Sequence, residues 1–381
     1  MIEAQPQKKM FILGNADSIE DSAFSSSDQI FQRVGHNTGN LAFHYAVTQF
    51  LGVRPKTVPW HASASDIDAA GQIGIMPCAN QLGTHVDMGG FASKLEGTGA
   101  SLLAVGLGAQ GSSLYTSLEE LPKGTVAWLN EIAKRAPSAD SPNITVRGDF
   151  TLNVLQKYGF GDRAVSLGCP SLLINPDKSL GEKLQGAYKK TISRVAVAAG
   201  HPAWAPLSVV ESSLVRIMED TDDAYIVQAT GEALALARND RSIGGIETYK
   251  QTLRTYLKLN LDDSQFERWI RRYMVAFYNV PAWMEYLKGF DFVVGSRIHG
   301  IMLAIQAGVP GLCIAHDSRI RELCEKSRIP YLLASDLPPR FTLMDLLARI
   351  EFDGSEFDRN RAAIKEAYKA FFFANGVNTT L

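Results

Sequence analysis

The sequence predicts an α/β fold in which two Rossmann-like lobes enclose a cleft. Short apolar runs rich in β-branched residues recur along the chain, and many are followed by Gly, Asn or charged residues and then by an amphipathic stretch. That alternation is typical of a parallel sheet with helices on its faces. The chain has 381 residues, which suits two domains of common size better than one ordinary core. Ligands of such folds bind where strands end and helices begin.

The apolar runs divide into two groups. A polar, turn-rich segment, INPDKSLGEKLQGAYKKTIS at 174–193, separates them. We therefore predict a first lobe over 1–182 and a second over 183–338, with a helical insertion at about 235–288 that has no comparable strand pattern. The tail at 339–381 also has a helical pattern, and we expect it to pack on the first lobe. Strands are predicted at 72–76, 101–107, 144–146, 164–168, 194–199, 224–228, 290–296 and 311–316, and helices at 40–52, 149–159, 213–221 and 297–308.

Composition and charge exclude several classes of function. The chain is 46% hydrophobic and 20% charged, with a formal net charge of -2, so a strongly basic surface for nucleic acid is not indicated, although a local positive pocket stays open. Its cysteines form no CxxC pair, which is typical of reduced, buried thiols: Cys78, Cys169, Cys313 and Cys324. No stretch approaches the roughly 20 apolar residues that span a bilayer, and the N-terminus lacks the apolar segment of a signal peptide. We therefore expect a cytoplasmic protein, with peripheral association at the inner face of the membrane left open.

An arginine and a histidine stand at the corner between two apolar runs in DFVVGSRIHGIMLAIQAGVP, at 291–310. The first run predicts a strand, and the spacing of Ile and Met in the second predicts the buried face of a helix. Ser296 is the candidate N-cap. Arg297 and His299 then fall in the first helical turn, where free N–H groups and the helix dipole attract anions. We interpret the corner as an anion site with a proton-transfer group; a surface arginine and a packed histidine are the competing interpretation.

The next unit repeats this design. In GLCIAHDSRIRELCEK, at 311–326, an apolar strand is followed by a charged turn and a short helix that carries Arg319. Asp317 or Ser318 is the expected N-cap of this helix. Because the helices of a doubly wound sheet begin at one edge, Arg319 could face the same cleft as Arg297. An exposed helix arginine is the equal alternative.

On these residues the chain resembles the polysaccharide pyruvyl transferase family. The stretch GSRIHGIMLAIQAGVPGLCIAHDSRIREL has a Ser-Arg-hydrophobic-His-Gly corner, an apolar helix ending in Ala-Gly-Val-Pro, and a following strand and charged turn. Upstream, ITVRGDFTLNVLQKYGF, VSLGCPSLLI and YIVQAT are similar to the family's Arg-Asp turn, the strand after it and a Gln-terminated strand. GHNTGNLAFHYAV is similar to an Asn-x-Gly-Asp helix start, with Asn40 where Asp is usual. The resemblance covers roughly residues 30–335, and the C-terminal signature is its most specific part.

The resemblance implies two lobes arranged like a GT-B glycosyltransferase, with the donor against the second lobe. It implies transfer of the enolpyruvyl-derived group of phosphoenolpyruvate to two hydroxyls of one sugar in an exopolysaccharide or cell-envelope glycan precursor. Phosphate is released, and no cofactor or metal is implied as essential. His299 is then the general acid/base, and Arg147 and Arg319 are preferred for direct donor contacts, with Arg319 standing where lysine is common. The remaining donor-binding candidates form the corner itself: Ser296, Arg297, Ile298 and Gly300.

The acceptor, a sugar or a lipid-linked oligosaccharide, is expected on the side of the first lobe. Candidate contacts come from the helix start at 36–40, from the glycine-rich loop GLGAQG at 106–111 and from the end of the strand at 194–199: His36, Asn37, Asn40, Gly108, Gln110 and His201. A plain N-cap at Asn40 and a tight structural turn in the loop are competing interpretations. Trp60 and Trp204 could stack on sugar rings or be ordinary buried aromatics.

Two other classes of function stay open. The first is a GT-B glycosyltransferase that uses a nucleotide sugar, although no clear acidic pair for ribose recognition is present in the C-terminal half. The second is a non-catalytic sugar-binding or scaffold protein, against which the intact set of Arg147, His299 and Arg319 counts. The oligomeric state is not predicted.

Overall fold

The structure is a computed structural model that describes residues 9–111 and 120–381. The predicted absence of a signal peptide rests partly on residues 1–8, which lie outside the described residues. Two six-stranded sheets form the framework, and every strand pair within them is parallel. The predicted α/β class with two Rossmann-like lobes is therefore confirmed.

The first sheet has the strand order β2-β1-β3-β4-β5-β6. Its strands are β1 (Met10–Leu13), β2 (Lys56–Val58), β3 (Ile73–Pro77), β4 (Ser101–Leu107), β5 (Ile144–Val146) and β6 (Ala164–Ser166). The helices in this part of the chain are α1 (Ser27–Arg33), α2 (Asn40–Leu51), α3 (Ala64–Ala70), α4 (Gly89–Glu96), α5 (Lys123–Lys134) and α6 (Asp149–Lys157).

The second sheet has the order β12-β11-β10-β7-β8-β9. Its strands are β7 (Val195–Ala198), β8 (Tyr225–Ile226), β9 (Met274–Val275), β10 (Phe292–Gly295), β11 (Gly311–Ala315) and β12 (Tyr331–Leu333). The accompanying helices are α7 (Leu180–Tyr188), α8 (Ser208–Thr221), α9 (Gly231–Arg238), α10 (Ile246–Leu257), α11 (Asp263–Tyr273), α12 (Val280–Leu287), α13 (Ile298–Gln306) and α14 (Ser318–Ser327). The chain ends in α15 (Leu343–Leu347) and α16 (Gly354–Ala374).

Helix α13 is the central buried element between the two lobes. All of its residues are buried, as expected for a helix that is apolar on every side. Its core neighbours include Leu41 and Phe43 of α2 and Val293 of β10. The first turn of α13 is thereby fixed against both lobes, which matters because His299 is its second residue.

The C-terminal helix α16 packs on the first half of the chain. Tyr368 and Phe372 lie against Phe50 of α2, with ring centroids 5.7 and 6.4 Å apart. The hydroxyl of Tyr368 donates a hydrogen bond to the carbonyl of Gly168 at 2.9 Å. No helix within 9–111 and 120–381 is both long and apolar enough to cross a membrane.

Short strands and several helices account for the differences from the predicted elements, and the helices missing from the prediction are α1, α3, α4, α5 and α7. Strands β1, β2, β9 and β12 are absent from the prediction, and each has two to four residues, too few to show a pattern. Strand β9 lies in the segment 235–288, which the sequence predicts to be helical throughout. It forms because Met274 and Val275 pair with the end of β8.

The predicted cap of α13 is wrong. Arg297, not Ser296, occupies the N-cap position, and no side chain caps the helix. The predicted cap of α14 is confirmed, since Oδ1 of Asp317 accepts a hydrogen bond from the N–H of Ile320 at 2.8 Å. The two corners therefore differ: α14 has a capped start, whereas α13 leaves its first N–H groups without a side-chain partner.

Candidate functional site

A cavity of about 240 Å³ lies between the two lobes at the carboxyl ends of strands from both sheets. We call it the first cavity. The first lobe contributes residues that precede α2 or follow β3 and β4, and the second lobe contributes residues that follow β7, β8, β10 and β11. Such strand ends are where open α/β sheets bind ligands. The polar side chains that line it are Asn37, Asn80, Gln110, His201, Gln228, Ser296, Arg297, His299, His316 and Arg319.

Two arginines give the first cavity its positive charge. Arg297 follows β10, and the described residues offer its guanidinium neither a hydrogen bond nor an ion pair. Arg319 follows β11 and donates to Oδ2 of Asp317 at 3.1 Å, but its buried Nε has no partner among the described residues. Burial and the neighbouring Arg319 lower the pKa of Arg297. Cations held this way out of water are stabilised by an anion.

His299 is buried beside these arginines. Its Nε2 lies 3.7 Å from Sγ of Cys169, which in turn lies 3.0 Å from Oγ of Ser171. Its ring packs on Phe43 at a centroid distance of 5.4 Å. Burial lowers the pKa of His299 well below its usual range, and the positive charges of Arg147, Arg319 and Arg297 lower it further. The imidazole is therefore neutral at pH 7 when no anion is bound.

Arg147 lies behind the wall of the first cavity. Its side chain is 1% exposed, and it donates from Nε to the carbonyl of Gly106 at 2.9 Å and from Nη2 to that of Cys78 at 3.1 Å. The guanidinium also lies over the ring of Phe43, 5.4 Å from its centroid. Arg147 thus contributes charge to the site while it ties the ends of β3 and β4 together.

An aromatic and imidazole cluster closes the second-lobe side of the first cavity. Trp204 is 40% exposed and meets the ring of His316 edge to face, with centroids 5.0 Å apart. Nε2 of His316 lies 3.7 Å from Oδ2 of Asp317. Burial lowers the pKa of His316, and it also lowers the pKa of His201. Trp204 is therefore an accessible flat face beside the arginines.

Glycines allow the two lobes to approach each other at His299. A Cβ atom on Gly39, at the start of α2, would lie 2.7 Å from Oε1 of Gln228 and 3.2 Å from Cβ of His299. Within the second lobe, a Cβ atom on Gly300 would lie 2.8 Å from Cβ of Ala198, so this glycine lets α13 approach β7. The Nε2 of Gln228 is buried without a hydrogen-bond partner in the described chain, and Gln228 lines the first cavity. Gln228 is therefore a candidate ligand contact. The sequence predicted the strand at 224–228 that ends at this residue, but it did not identify Gln228 as a site residue.

A larger cavity of about 530 Å³ adjoins the first on the side of the first lobe. We call it the second cavity. Asn37 and Asn80 line both cavities, so the two are neighbouring parts of one cleft. The remaining lining residues come largely from the loops after β1, β2 and β3 and from α2: Asn15, Gly35, His36, Asn40, Phe43, His44, Trp60, Pro77, Ala79, Gln81, His85, Val86, Met88 and Phe91.

The predicted site residues gather in these two cavities with three exceptions. Those in the first cavity are Ser296, Arg297, Ile298, His299, Arg319, Asn37, Gln110 and His201, while His36, Asn37 and Asn40 line the second. Arg147, Gly108 and Gly300 lie outside both linings and pack behind them; a Cβ atom on Gly108 would lie 3.0 Å from Cδ of Arg147.

Asn40 is not an N-cap, which removes the competing interpretation of this residue. Gly39 occupies the cap position of α2, and Nδ2 of Asn40 donates to the carbonyls of Val34 and Gly35, both at 2.9 Å. These bonds hold the loop that carries His36. Within the described ranges, no three His, Cys, Asp or Glu side chains are grouped so that they could hold a metal ion.

The chain is similar to known proteins both in structure and in its sequence family. The chain is similar in structure to the UDP-GlcNAc 2-epimerase from Methanocaldococcus jannaschii, with a TM-score of 0.41 and 9% identity over 94% of this chain and 99% of that one. It is similar also to the S. aureus MnaA-UDP co-structure, with a TM-score of 0.41 and 10% identity over 97% of this chain and 91% of that one. A search of curated proteins finds no match. The model of the polysaccharide pyruvyl transferase family matches residues 102–318, more than half of the chain, so the chain belongs to that family.

Proposed function

We propose that the protein transfers the enolpyruvyl-derived group of phosphoenolpyruvate to two hydroxyls of a sugar, forming a pyruvate ketal and releasing phosphate. The acceptor is a sugar of an exopolysaccharide or cell-envelope glycan precursor, and the reaction takes place in the cleft formed by the two cavities. No cofactor is part of this proposal.

The observation that carries the proposal is the set of unpaired cationic donors around His299. Arg297 makes neither a hydrogen bond nor an ion pair within the described chain. Nε of Arg319 is buried there without a hydrogen-bond partner, although its Nη2 pairs with Asp317. Phosphoenolpyruvate has a phosphate and a carboxylate on one small framework, so it can supply both guanidinium groups with oxygens. The N–H groups at the uncapped start of α13 add further donors for one of these anions.

The proposed chemistry uses one proton acceptor, the neutral imidazole of His299. One hydroxyl adds to C2 of phosphoenolpyruvate while C3 gains a proton, and the second hydroxyl then replaces phosphate at C2. One hydroxyl proton ends on C3 and the other on the departing phosphate, so the reaction needs neither oxidant nor reductant. His299, with its lowered pKa, can accept the proton of the first hydroxyl and pass it to C3. Arg297 and Arg319 stabilise the charge of the departing phosphate.

A nucleotide-sugar donor is the second candidate. One observation weighs against it. None of the described residues that line the first cavity is Asp or Glu, so a carboxylate for ribose hydroxyls is missing from that wall. This feature suits a small anionic donor.

A phosphate-release assay with a panel of sugar acceptors tests the proposal. Phosphoenolpyruvate and a set of sugar nucleotides are compared as donors under the same conditions, with mass spectrometry of the acceptor to detect addition of a ketal. We expect acceptor-dependent phosphate release from phosphoenolpyruvate alone. Transfer from a sugar nucleotide, with none from phosphoenolpyruvate, would overturn the proposal in favour of a glycosyltransferase.

A further inference from the structure

The second cavity differs chemically from the first. None of its described lining residues is Lys, Arg, Asp or Glu. Apolar and aromatic side chains alternate with amides and imidazoles, so the wall offers hydrogen bonds and flat surfaces without fixed charge. A carboxylate or phosphate placed there would lose its hydration without meeting a counter-charge, which is costly.

One tryptophan provides a flat surface in this wall. Trp60 follows β2 and is half-buried. Its indole packs edge to face on Phe91, with ring centroids 4.9 Å apart and planes at 73°. Phe91 belongs to α4 and is itself buried, so the orientation of Trp60 is set by the core of the first lobe. A fixed aromatic face of this kind suits the C–H face of a sugar ring.

A buried histidine without partners also lines the second cavity. His44 of α2 is 1% exposed, and neither Nδ1 nor Nε2 has a hydrogen-bond partner among the described residues. A neutral imidazole has one donor and one acceptor, and leaving both unpaired in the interior is unfavourable. Sugar hydroxyls both donate and accept, so they match either nitrogen.

The two asparagines of the α2 start offer opposite hydrogen-bonding groups. Oδ1 of Asn37 accepts from the N–H of Gly39 at 2.8 Å, which leaves its NH₂ group for a ligand. Nδ2 of Asn40 is used by the carbonyls of Val34 and Gly35, which leaves its oxygen. One donor and one acceptor on neighbouring residues again match hydroxyl groups better than an anion, which only accepts.

We propose that the second cavity binds an uncharged sugar ring of the acceptor, with one face of the ring on Trp60 and hydroxyl groups paired with His44, Asn37 and Asn40. The proposed function enters this inference at one point, where the bound sugar is identified as the acceptor. Because Asn37 and Asn80 line both cavities, a ring held there stands next to the donor. Charged parts of the acceptor, such as a uronate or a diphosphate, lie outside the second cavity.

Saturation-transfer NMR on the full-length protein tests this inference. The probes are the methyl glycosides of glucose, galactose, mannose and N-acetylglucosamine, with methyl glucuronide as the charged counterpart. We expect saturation transfer that depends on Trp60 to at least one neutral glycoside, and no Trp60-dependent transfer to the glucuronide. Trp60→Ala should weaken the binding about tenfold or more, since a buried tryptophan contact contributes strongly to recognition, whereas Trp60→Phe should retain most of it. Phe373→Ala, which removes an aromatic side chain that is 79% exposed outside both cavities, is the matched control.

A gain of binding provides a second, independent measurement. Met88 lines the second cavity, and Met88→Lys would place a positive charge there, so the variant should bind methyl glucuronide more tightly than the unchanged protein does. Binding of the glucuronide by the unchanged protein that depends on Trp60, or neutral-glycoside binding that is as tight in Trp60→Ala as in the unchanged protein, would overturn the inference. So would the absence of signal from every neutral glycoside. Phosphoenolpyruvate is titrated separately, because a failure to bind it would sink the proposed donor and leave a Trp60-dependent sugar site standing.

Discussion

The two cavities of the cleft divide charge between the lobes. The first cavity is lined by two arginines from turns of the second sheet, and a third arginine lies behind it. The second cavity, built mainly from turns of the first sheet, has no charged residue among its described lining. Both lie at the carboxyl ends of parallel strands. The fold therefore supplies the place, and the residues that follow each strand decide whether an anion or a neutral group binds there.

The two buried histidines show the same contrast. Burial lowers the pKa of both His44 and His299. Around His299 three arginines lower the pKa further, whereas Asp17 opposes the effect of burial on His44, whose pKa falls to about 3. An anion in the first cavity would cancel much of the positive charge near His299. A neutral sugar in the second cavity would leave His44 unprotonated, so of these two histidines we expect only His299 to couple ligand binding to protons.

The largest expected effect is that of His299→Ala on turnover. If His299 transfers the proton in the first cavity, its removal should lower kcat about 100-fold or more, the usual range for a lost general acid/base. The measurement is the initial rate of phosphate release with saturating phosphoenolpyruvate and acceptor. His299→Gln, which fills more of the buried space, separates loss of proton transfer from loss of packing.

His61→Ala is the matched control, because His61 is exposed and outside both cavities. Its rate should equal that of the unchanged protein. If His299→Ala also turned over at the rate of the unchanged protein, the histidine would be a packing residue, and the proposed contrast between the two histidines would fail.

A smaller effect is expected for Arg297→Ala on donor affinity. A hydrogen bond to a charged group contributes about 1.5–3 kcal/mol, so calorimetry should show phosphoenolpyruvate bound roughly 10- to 100-fold more weakly. Arg297→Lys should recover part of the affinity, since it keeps the charge but loses the guanidinium fork. The exposed Arg340 gives the control substitution, Arg340→Ala, with no change in affinity.

The thermal midpoint distinguishes a binding role from a structural one at the same position. Arg297 makes neither a hydrogen bond nor an ion pair in the described chain, so its removal deletes a largely desolvated cation without breaking such a contact, and the midpoint should stay constant or rise. A lower midpoint with unchanged donor affinity would make Arg297 a structural residue. That outcome would remove the main difference between the first cavity and the second.

The cluster of Arg297, His299 and Arg319 was predictable from sequence because its residues are local. Arg297, His299 and Arg319 lie within 23 positions of one another at two consecutive strand ends, and the apolar runs beside them predict β10, α13 and β11. The second cavity had no such signal. His44, Trp60, His85 and Phe91 come from separate loops and helices, and only the strand order β2-β1-β3-β4 brings those segments together. Of the residues that line this cavity, the sequence predicted those at the polar start of α2. For Trp60 it left two interpretations open, stacking on a sugar ring and ordinary burial.

Arg147 shows a different limit. Sequence places it correctly at the end of β5, but the preference for a direct donor contact depends on where its N–H groups point. Two of its nitrogens donate to the carbonyls of Gly106 and Cys78, which no local pattern reveals. Ser296 shows the same limit on a smaller scale, because its suitability as an N-cap did not decide where α13 begins. Residue type and spacing predicted the neighbourhood, and hydrogen-bond partners decided the role.

The smallest expected effect is a proton taken up with the donor. The phosphate and carboxylate of phosphoenolpyruvate should raise the pKa of His299 from its lowered value, because they offset the charges of Arg147, Arg319 and Arg297. A pKa that rises on binding means that binding takes up protons. The added affinity is complete below the pKa of the free protein and is lost as the pH rises through the pKa of the complex. One proton limits this change to about tenfold per pH unit.

Calorimetry in two buffers of different ionisation enthalpy measures the uptake directly. Phosphoenolpyruvate brings its own ionisable phosphate, so the quantity to compare is the difference between the unchanged protein and His299→Gln. We expect the unchanged protein to take up more protons with phosphoenolpyruvate, and both proteins to take up none with a neutral methyl glycoside, since an uncharged ligand brings no new charge to His44. Equal uptake by the two proteins would mean that His299 does not respond to the donor. The arginines would then bind the anion too far from the imidazole to change its pKa, and His299 would stay neutral with the donor bound.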